Sequence, residues 1–230
     1  MLPLIHDADD LLAIDKPAGL LVHPTRLDAH EEFSALRLLE QQLGMRLFPL
    51  HRLDKGTSGV LLFARTTEAA RHWGAAFMDG KVHKRYRALV RGWPEAAGRI
   101  DYALARDPEL PSEGQARLEA VTEFSRLATF EWPFSVDGRH AGSRYALVEA
   151  NPLSGRRHQI RRHFKHLGHP LVGDATHGKG AHNRAVAAYL GVQRLWLHAA
   201  SISLPAGPHI EAPCGPEWDR LAMAATPQPA

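Results

Sequence analysis

The 230-residue sequence predicts an α+β fold, a largely antiparallel mixed sheet with flanking helices. Three observations carry that prediction. Alternating segments and short apolar runs recur along most of the chain. Only four stretches show helical spacing or helix-stop signals. The two kinds of segment are mixed without the regular strand-helix-strand rhythm that builds a parallel sheet.

Residues 4 to 23 read as two short strands around the acidic turn Asp7 to Asp10, followed by a loop at His23-Pro24. Phe33, Leu36, Leu39 and Leu43 then recur at helical spacing, and Gly44 supplies a stop. The run Val60 to Ala64 is a buried strand entered through the Gly56 and Gly59 turn, and Ala70, Trp73 and Phe77 form the inward stripe of a helix ending at Gly80. Tyr86, Ala88 and Val90 alternate along a strand. Residues 105 to 119 are polar, hold two prolines and a glycine, and read as a loop or flexible excursion. Strands are expected at about 121–130 and 143–150, with Tyr145 and Leu147 on one face, and a turn at Asn151-Pro152 and Ser154-Gly155. Ile160, Phe164 and Leu167 make the stripe of an arginine-rich helix closed by Gly168 and Pro170, with Arg157 and Arg161 beside the stripe and His158, Arg162 and Lys165 farther round. A short helix from Asn183 ends at Gly191, and Trp196, His198, Ala200, Ile202 and Leu204 alternate along a last strand. The expected organisation is one domain over residues 1–223, with a frayed tail from Ala224.

Composition narrows the function classes. An apolar fraction of 44% excludes disorder throughout, and the single cysteine, Cys214, excludes a disulfide framework and a cysteine-rich zinc site. No stretch approaches the roughly 20 apolar residues that span a bilayer, and the first residues lack the pattern of a signal peptide, so the expectation is a cytoplasmic chain with no membrane partner. Net charge is only +3, but Lys81 to Arg91 holds five Lys or Arg and no acid, and Ser154 to His169 holds another five and no acid. Those ten cations leave the remainder of the chain at −7. A basic surface on an acidic body is the footprint of a polyanion binder.

The chemistry concentrates in His51-Arg52-Leu53-Asp54-Lys55-Gly56-Thr57-Ser58-Gly59. Cations and hydroxyls within a few residues of Asp54 favour its ionised form, and an ionised, positioned carboxylate can act as a nucleophile. The string resembles the catalytic-aspartate motif of the RluA family of pseudouridine synthases. Four more segments match that family in order: Leu12-Ala13-Ile14-Asp15-Lys16-Pro17-Ala18-Gly19-Leu20-Leu21-Val22-His23-Pro24, Lys84-Arg85-Tyr86-Arg87-Ala88-Leu89-Val90, Ser154-Gly155-Arg156-Arg157-His158-Gln159-Ile160-Arg161-Arg162-His163, and Leu197-His198-Ala199. The resemblance covers nearly the whole chain. The Arg161-Arg162-His163 ending and the segment His177 to Leu204, with Asn183-Arg184 and Gln193-Arg194-Leu195, resemble the members acting on tRNA at position 65. Because the opening motif begins by residue 12, the small RNA-binding domain that precedes the catalytic domain in many relatives is expected to be missing.

The resemblance implies the pseudouridine synthase catalytic fold and a cofactor-free isomerisation. The uridine C1′–N1 bond breaks, the base turns, and C1′ joins C5, with the base taken out of its helix. Asp54 is the implied catalytic carboxylate, and two roles stay open to it: covalent addition at C1′, or removal of the C2′ proton to give a glycal. Arg161 would partner the Asp54 carboxylate, Tyr86 would stack on the base and relay the C5 proton, Arg52 would fill the gap left by the flipped nucleotide, and Leu197 would pack on Tyr86 and Arg161. Lys84, Arg156, Arg157, His163 and Lys165 would meet RNA. The alternatives are an rRNA-modifying member and a catalytically silent RNA-binding protein, and no protein partner is implied beyond a monomer with its tRNA.

Two lookalikes fail on their own chemistry. Gly173-Asp174-Ala175-Thr176-His177-Gly178-Lys179 resembles a phosphate loop, but Gly180 stands where the magnesium-binding hydroxyl belongs. His163, His166 and His169 follow at threes with no nearby Cys or carboxylate, so no metal is expected there, and RNA or solvent is the expected neighbour.

Overall fold

The computed structural model describes residues 1–23, 33–136 and 138–224. In chain order its elements are β1 (Leu4–Ala8), β2 (Leu11–Lys16), α1 (Ala35–Leu43), β3 (Phe48–Pro49), β4 (Ser58–Ala64), α2 (Thr67–Met78), β5 (His83–Arg91), β6 (Ala97–Asp101), β7 (Leu104–Ala105), β8 (Arg117–Leu118), β9 (Val121–Trp132), β10 (Ser143–Pro152), α3 (Gln159–His166), α4 (Gly180–Leu190), β11 (Leu197–Ser203), β12 (His209–Glu211) and α5 (Asp219–Met223). They gather into two compact units, Met1–Lys84 with His198–Pro213, and Arg85–Leu197 with the residues from Cys214 onward.

In the first unit β4 is the central strand. All seven of its residues are buried, which is why it reads as an unbroken apolar run rather than an alternation. It pairs antiparallel with β2 from Leu11↔Ala64 to Lys16↔Gly59, and in parallel with β11 at His198↔Ser58 and Ala199↔Gly59. β1 and β12 extend the sheet on either side. The parallel contact is close because Gly59 has no side chain. Its φ is +108°, and a Cβ there would lie 2.2 Å from the Ala199 carbonyl oxygen. Both helices are capped as their sequences suggest. Ser34 Oγ accepts from Arg37 N–H at 3.3 Å and Thr66 Oγ1 from Ala69 N–H at 3.2 Å, and Gly44 takes the left-handed conformation that closes α1. Trp73 and Phe77 of α2 pack on a core that includes Leu11, Val60, Leu62 and Ile202.

The second unit is an antiparallel sheet in the order β5-β10-β9-β6, with β9 and β10 forming the long central pair. Its strands have opposite faces buried on two cores. Ala88, Val90, Ala146 and Val148 join Ile160 and Phe164 of α3 and Leu197, whereas Leu89, Trp132 and Tyr145 join Val186 and Leu190 of α4 and Leu221 of α5. Tyr145 and Leu147 share that second face, as the alternation required.

Several local expectations are corrected. The excursion at 105–119 is tied at its ends by the β7 and β8 pair, and its interior is organised by Gln115, whose side chain bonds Asp107 N–H and the carbonyls of Asp107, Leu110 and Pro111. β10 runs through Pro152, which sits opposite Thr122 at the strand end, so the turn begins later than Asn151. β3 and β6 were not anticipated; β6 buries only Ile100 and shows no apolar pattern. Arg157 and His158 precede α3, and Leu167, its C-cap, is 38% exposed rather than part of the inward stripe. The expected loop at Pro24 and the tail beyond Ala224 lie outside the described residues.

Candidate active site

In the first unit the Asp54 loop is held from three sides. Leu50 N–H donates to the Leu62 carbonyl (3.0 Å), and Leu62 N–H donates to His51 Nε2 (3.1 Å), so the chain entering the loop is stitched to β4 with an imidazole standing in for a backbone acceptor. Thr57 N–H donates to the Asp54 carbonyl at 2.9 Å, closing the turn. From the other side, the fully buried Lys16 donates through Nζ to the carbonyls of Pro17 (2.8 Å), Leu20 (2.7 Å) and Lys55 (3.3 Å), and Gly19 N–H meets the same Lys55 carbonyl at 2.8 Å. A buried ammonium needs such acceptors, and here they tie the opening motif to the residue after Asp54. Below the loop, His198 Nε2 donates to the Ala212 carbonyl (3.0 Å), which leaves Nδ1 to accept from the Ser58 hydroxyl (2.8 Å). Leu53 is buried, Asp54 is half-buried, and Arg52 is exposed.

His51 corrects one electrostatic expectation. Desolvation and the nearby Lys84 lower its pKa to about 3, its ring stacks on Phe77 with centroids 5.0 Å apart, and its Nε2 is an acceptor, so it is neutral and adds no positive charge beside Asp54. Lys84, half-buried, has its own pKa lowered by burial. Because the His51 pKa is depressed on folding, its contribution to stability is present above the unfolded value of about 6.5 and is lost as pH falls toward 3. We expect the unfolding free energy of His51→Gln to fall by about 1.4 kcal/mol less than that of the wild type between pH 7.5 and 5.5. Urea unfolding at the two pH values measures this; equal losses would show that the ring is protonated in the folded state.

In the second unit Tyr86 lies on β5 opposite Ala150 and packs, partly buried, against the cluster that contains Leu197, Ile160 and Phe164. Arg161 is 8% exposed on α3. Its guanidinium makes a two-point pair with Asp174, Nε to Oδ2 at 2.7 Å and Nη2 to Oδ1 at 2.8 Å. In the sequence, Asp174 stands out only as a member of the phosphate-loop lookalike. The signal that identifies it is arithmetic of charge: a buried arginine on a helix with no acid between 154 and 169 requires a carboxylate from elsewhere, and Asp174 is the next one along the chain.

The basic residues divide. Arg156 and Lys165 are exposed, with Arg156 Nε donating to the Glu119 carbonyl at 3.0 Å. Arg157 forms ion pairs with Asp107 and Glu109 of the 105–119 segment, and Arg162 donates to the Ala105 carbonyl at 2.9 Å. His163 does not face RNA. It is fully buried, with Nε2 donating to the Tyr102 carbonyl (3.1 Å) and Nδ1 accepting from the Thr122 hydroxyl (2.9 Å), and burial lowers its pKa, so it is a neutral core residue. His166 stacks on Tyr102, and His169 bonds the Arg91 carbonyl. Among the described residues no group of three or more His, Cys, Asp or Glu is arranged to hold a metal ion, and no helix is long and apolar enough to cross a membrane.

Residues 10–166 match the family described as RNA pseudouridylate synthase, and the chain belongs to that family. It is 42% identical over 207 residues to tRNA pseudouridine synthase C of Vibrio cholerae, a match covering 88% of this chain and 84% of that protein. It is 44% identical over 202 residues to the protein of the same name from Haemophilus ducreyi, covering 86% and 83%. The structure of Human RNA Pseudouridylate Synthase Domain Containing 1 shares the fold, with a TM-score of 0.73, 24% identity and coverage of 100% of this chain and 97% of that one.

Proposed function

We propose that this enzyme isomerises uridine to pseudouridine in tRNA, at position 65, as a cytoplasmic monomer without a cofactor. The observation that carries the reading is the Asp54 loop, whose backbone is fixed by Lys16, Gly19 and His51 so that one carboxylate is presented from a rigid frame. Relatives named tRNA pseudouridine synthase C, matched over most of both chains, support the substrate class.

In this reading Asp54 acts at the ribose. Either it adds to C1′ as N1 leaves with the bonding electrons, or it takes the C2′ proton as N1 leaves, giving a glycal. In both cases the detached base turns and C5 bonds to C1′; in the first route this displaces the Asp54 carboxylate, in the second the proton returns to C2′, and in both the C5 proton is then lost while N1 ends protonated. Arg161 serves as the reaction's arginine, Tyr86 stacks on the base and relays the C5 proton, Arg52 occupies the place of the flipped nucleotide, and Leu197 backs Tyr86. Lys84, Arg156, Arg157 and Lys165 contact phosphate, Arg157 by exchanging the carboxylates of Asp107 and Glu109 for it.

The test is tritium release from RNA labelled at uridine C5, with unmodified tRNA and rRNA offered in parallel. Release from tRNA is expected; release from rRNA alone would keep the chemistry and change the substrate, and tight binding with no release would leave only an RNA-binding protein.

The electrostatic part has its own expected result. The second unit holds 18 Lys and Arg against 13 Asp and Glu, whereas the first holds 10 against 12. Binding to tRNA should therefore weaken steeply with salt, and Arg156→Ala or Lys165→Ala should each reduce the log-log slope by about 0.7 to 0.9. Filter binding across a salt series measures this, and an unchanged slope would place the RNA on another surface.

A further inference from the structure

Three cations between Ser154 and His169, namely Arg156, Arg157 and Lys165, are read as phosphate contacts, and among the described residues only Arg157 is paired with carboxylates. Those acids come from the 105–119 segment of the same unit. Asp107 Oδ1 lies 3.5 Å from Arg157 Nη1, and Glu109 Oε1 accepts from Arg157 Nη2. The two acids form one group, because Asp107 Oδ1 also accepts Glu109 N–H at 3.0 Å. The pairing leaves the guanidinium incompletely served: its Nε is buried and has no hydrogen-bond partner among the described residues.

The segment is held on Arg157 by charge alone. Its stem is anchored by the buried Leu104 and Ala105 and by Arg106 N–H, which donates to the Ala116 carbonyl at 3.1 Å. Beyond the stem, from Arg106 to Arg117, no residue is buried, and Leu110 is 60% exposed. The four bonds of the Gln115 side chain all stay within the segment, so they shape it without fastening it to α3. The side chains of Arg157, Asp107 and Glu109 are 31%, 39% and 40% exposed, and ion pairs so open to water are readily traded for another anion.

A carboxylate offers a guanidinium the same pair of oxygen acceptors as a phosphate. We propose that Asp107 and Glu109 are a built-in competitor for RNA phosphate: they occupy Arg157 in the free enzyme, leave it when RNA binds, and return to it as RNA departs. They thereby limit affinity and speed release. This rests on the reading of Arg157 as a phosphate contact. It differs from a structural pairing in sign, because removing a competitor tightens RNA binding, whereas removing a structural brace leaves binding unchanged or weakens it.

The experiment is a mutant cycle on the full chain, read as the affinity and dissociation rate of unmodified tRNA. It compares the wild type, the variant carrying Asp107→Asn with Glu109→Gln, Arg157→Ala, and the variant carrying all three substitutions. Both acid substitutions keep side-chain size, and Asp107→Asn keeps the oxygen that accepts Glu109 N–H. Together they are expected to tighten binding about fivefold, the scale of one part-exposed ion pair, chiefly through slower dissociation. Added to Arg157→Ala, the same two substitutions should change affinity by less than about twofold. Equal tightening with and without Arg157 would overturn the proposal, since it would reflect only the loss of negative charge near RNA. Unchanged or weaker binding would also overturn it. If Arg157→Ala is then weakened, the phosphate contact stands; if it too binds like the wild type, that reading of Arg157 falls as well. Tritium release by the same samples reports separately on the proposed activity.

Discussion

Asp54→Asn is expected to bind unmodified tRNA within about threefold of the wild-type affinity and to form pseudouridine at least about 10⁴-fold more slowly, the scale of loss seen when a nucleophile or essential base is removed. Both roles open to Asp54 need a carboxylate. An amide neither adds to C1′ nor takes a proton from C2′, so the two mechanisms agree on this result. The substitution is nearly isosteric, and backbone contacts brace the loop: the Asp54 carbonyl accepts from Thr57, and the Lys55 carbonyl is held by Lys16 and Gly19. Binding, driven by phosphate contacts on the basic surface, should persist, and loss of one negative charge does not oppose it. Single-turnover kinetics with filter binding on the same samples checks the pair of outcomes. Equal loss of both would point to a misfolded loop instead of missing chemistry.

Gly59→Ala should have the largest effect on stability, about 3 to 5 kcal/mol, corresponding to a fall in Tm of roughly 10 °C. Two costs combine. A φ of +108° is strained for any residue with a Cβ, and the added methyl would lie 2.2 Å from the oxygen and 2.7 Å from the nitrogen of Ala199, which are backbone atoms of the paired strand. Relief requires β4 and β11 to separate at the one end where Ser58 and His198 also bond. The strand end adjoins the Asp54 turn, so activity at temperatures where the variant is folded should fall as well. Calorimetry with the same kinetic assay tests this, and a Tm within 2 °C of the wild type, a loss of no more than about one kcal/mol, would contradict the close approach.

The sequence revealed those parts of the fold whose signals are local. The apolar run of β4, the Gly44 stop of α1 and the alternation of Tyr86, Ala88 and Val90 each depend on spacing within a few residues, and each element formed where expected. What escaped depends on distant partners. Counting His163 as polar put it toward RNA, although it occupies the inward face with Ile160 and Phe164; only Thr122 and Tyr102, 41 and 61 positions away, make its burial tolerable. Arg157 read as a free cation because Asp107 and Glu109, about 50 residues earlier, lay in a segment that looked structureless. The site shows the same contrast. The aspartate motif was legible as a string, whereas the Arg161 and Asp174 pair needed the fold to bring a helix and a glycine-bounded loop together.

In the proposed function Asp54 of this chain makes pseudouridine in tRNA. The most direct measurement is to incubate an unmodified tRNA transcript with the wild type and with Asp54→Asn, and to map pseudouridine by carbodiimide labelling and primer extension. The expected result is one new stop, one nucleotide 3′ of position 65, with the wild type and none with Asp54→Asn; the same stop at the same rate with both would contradict it.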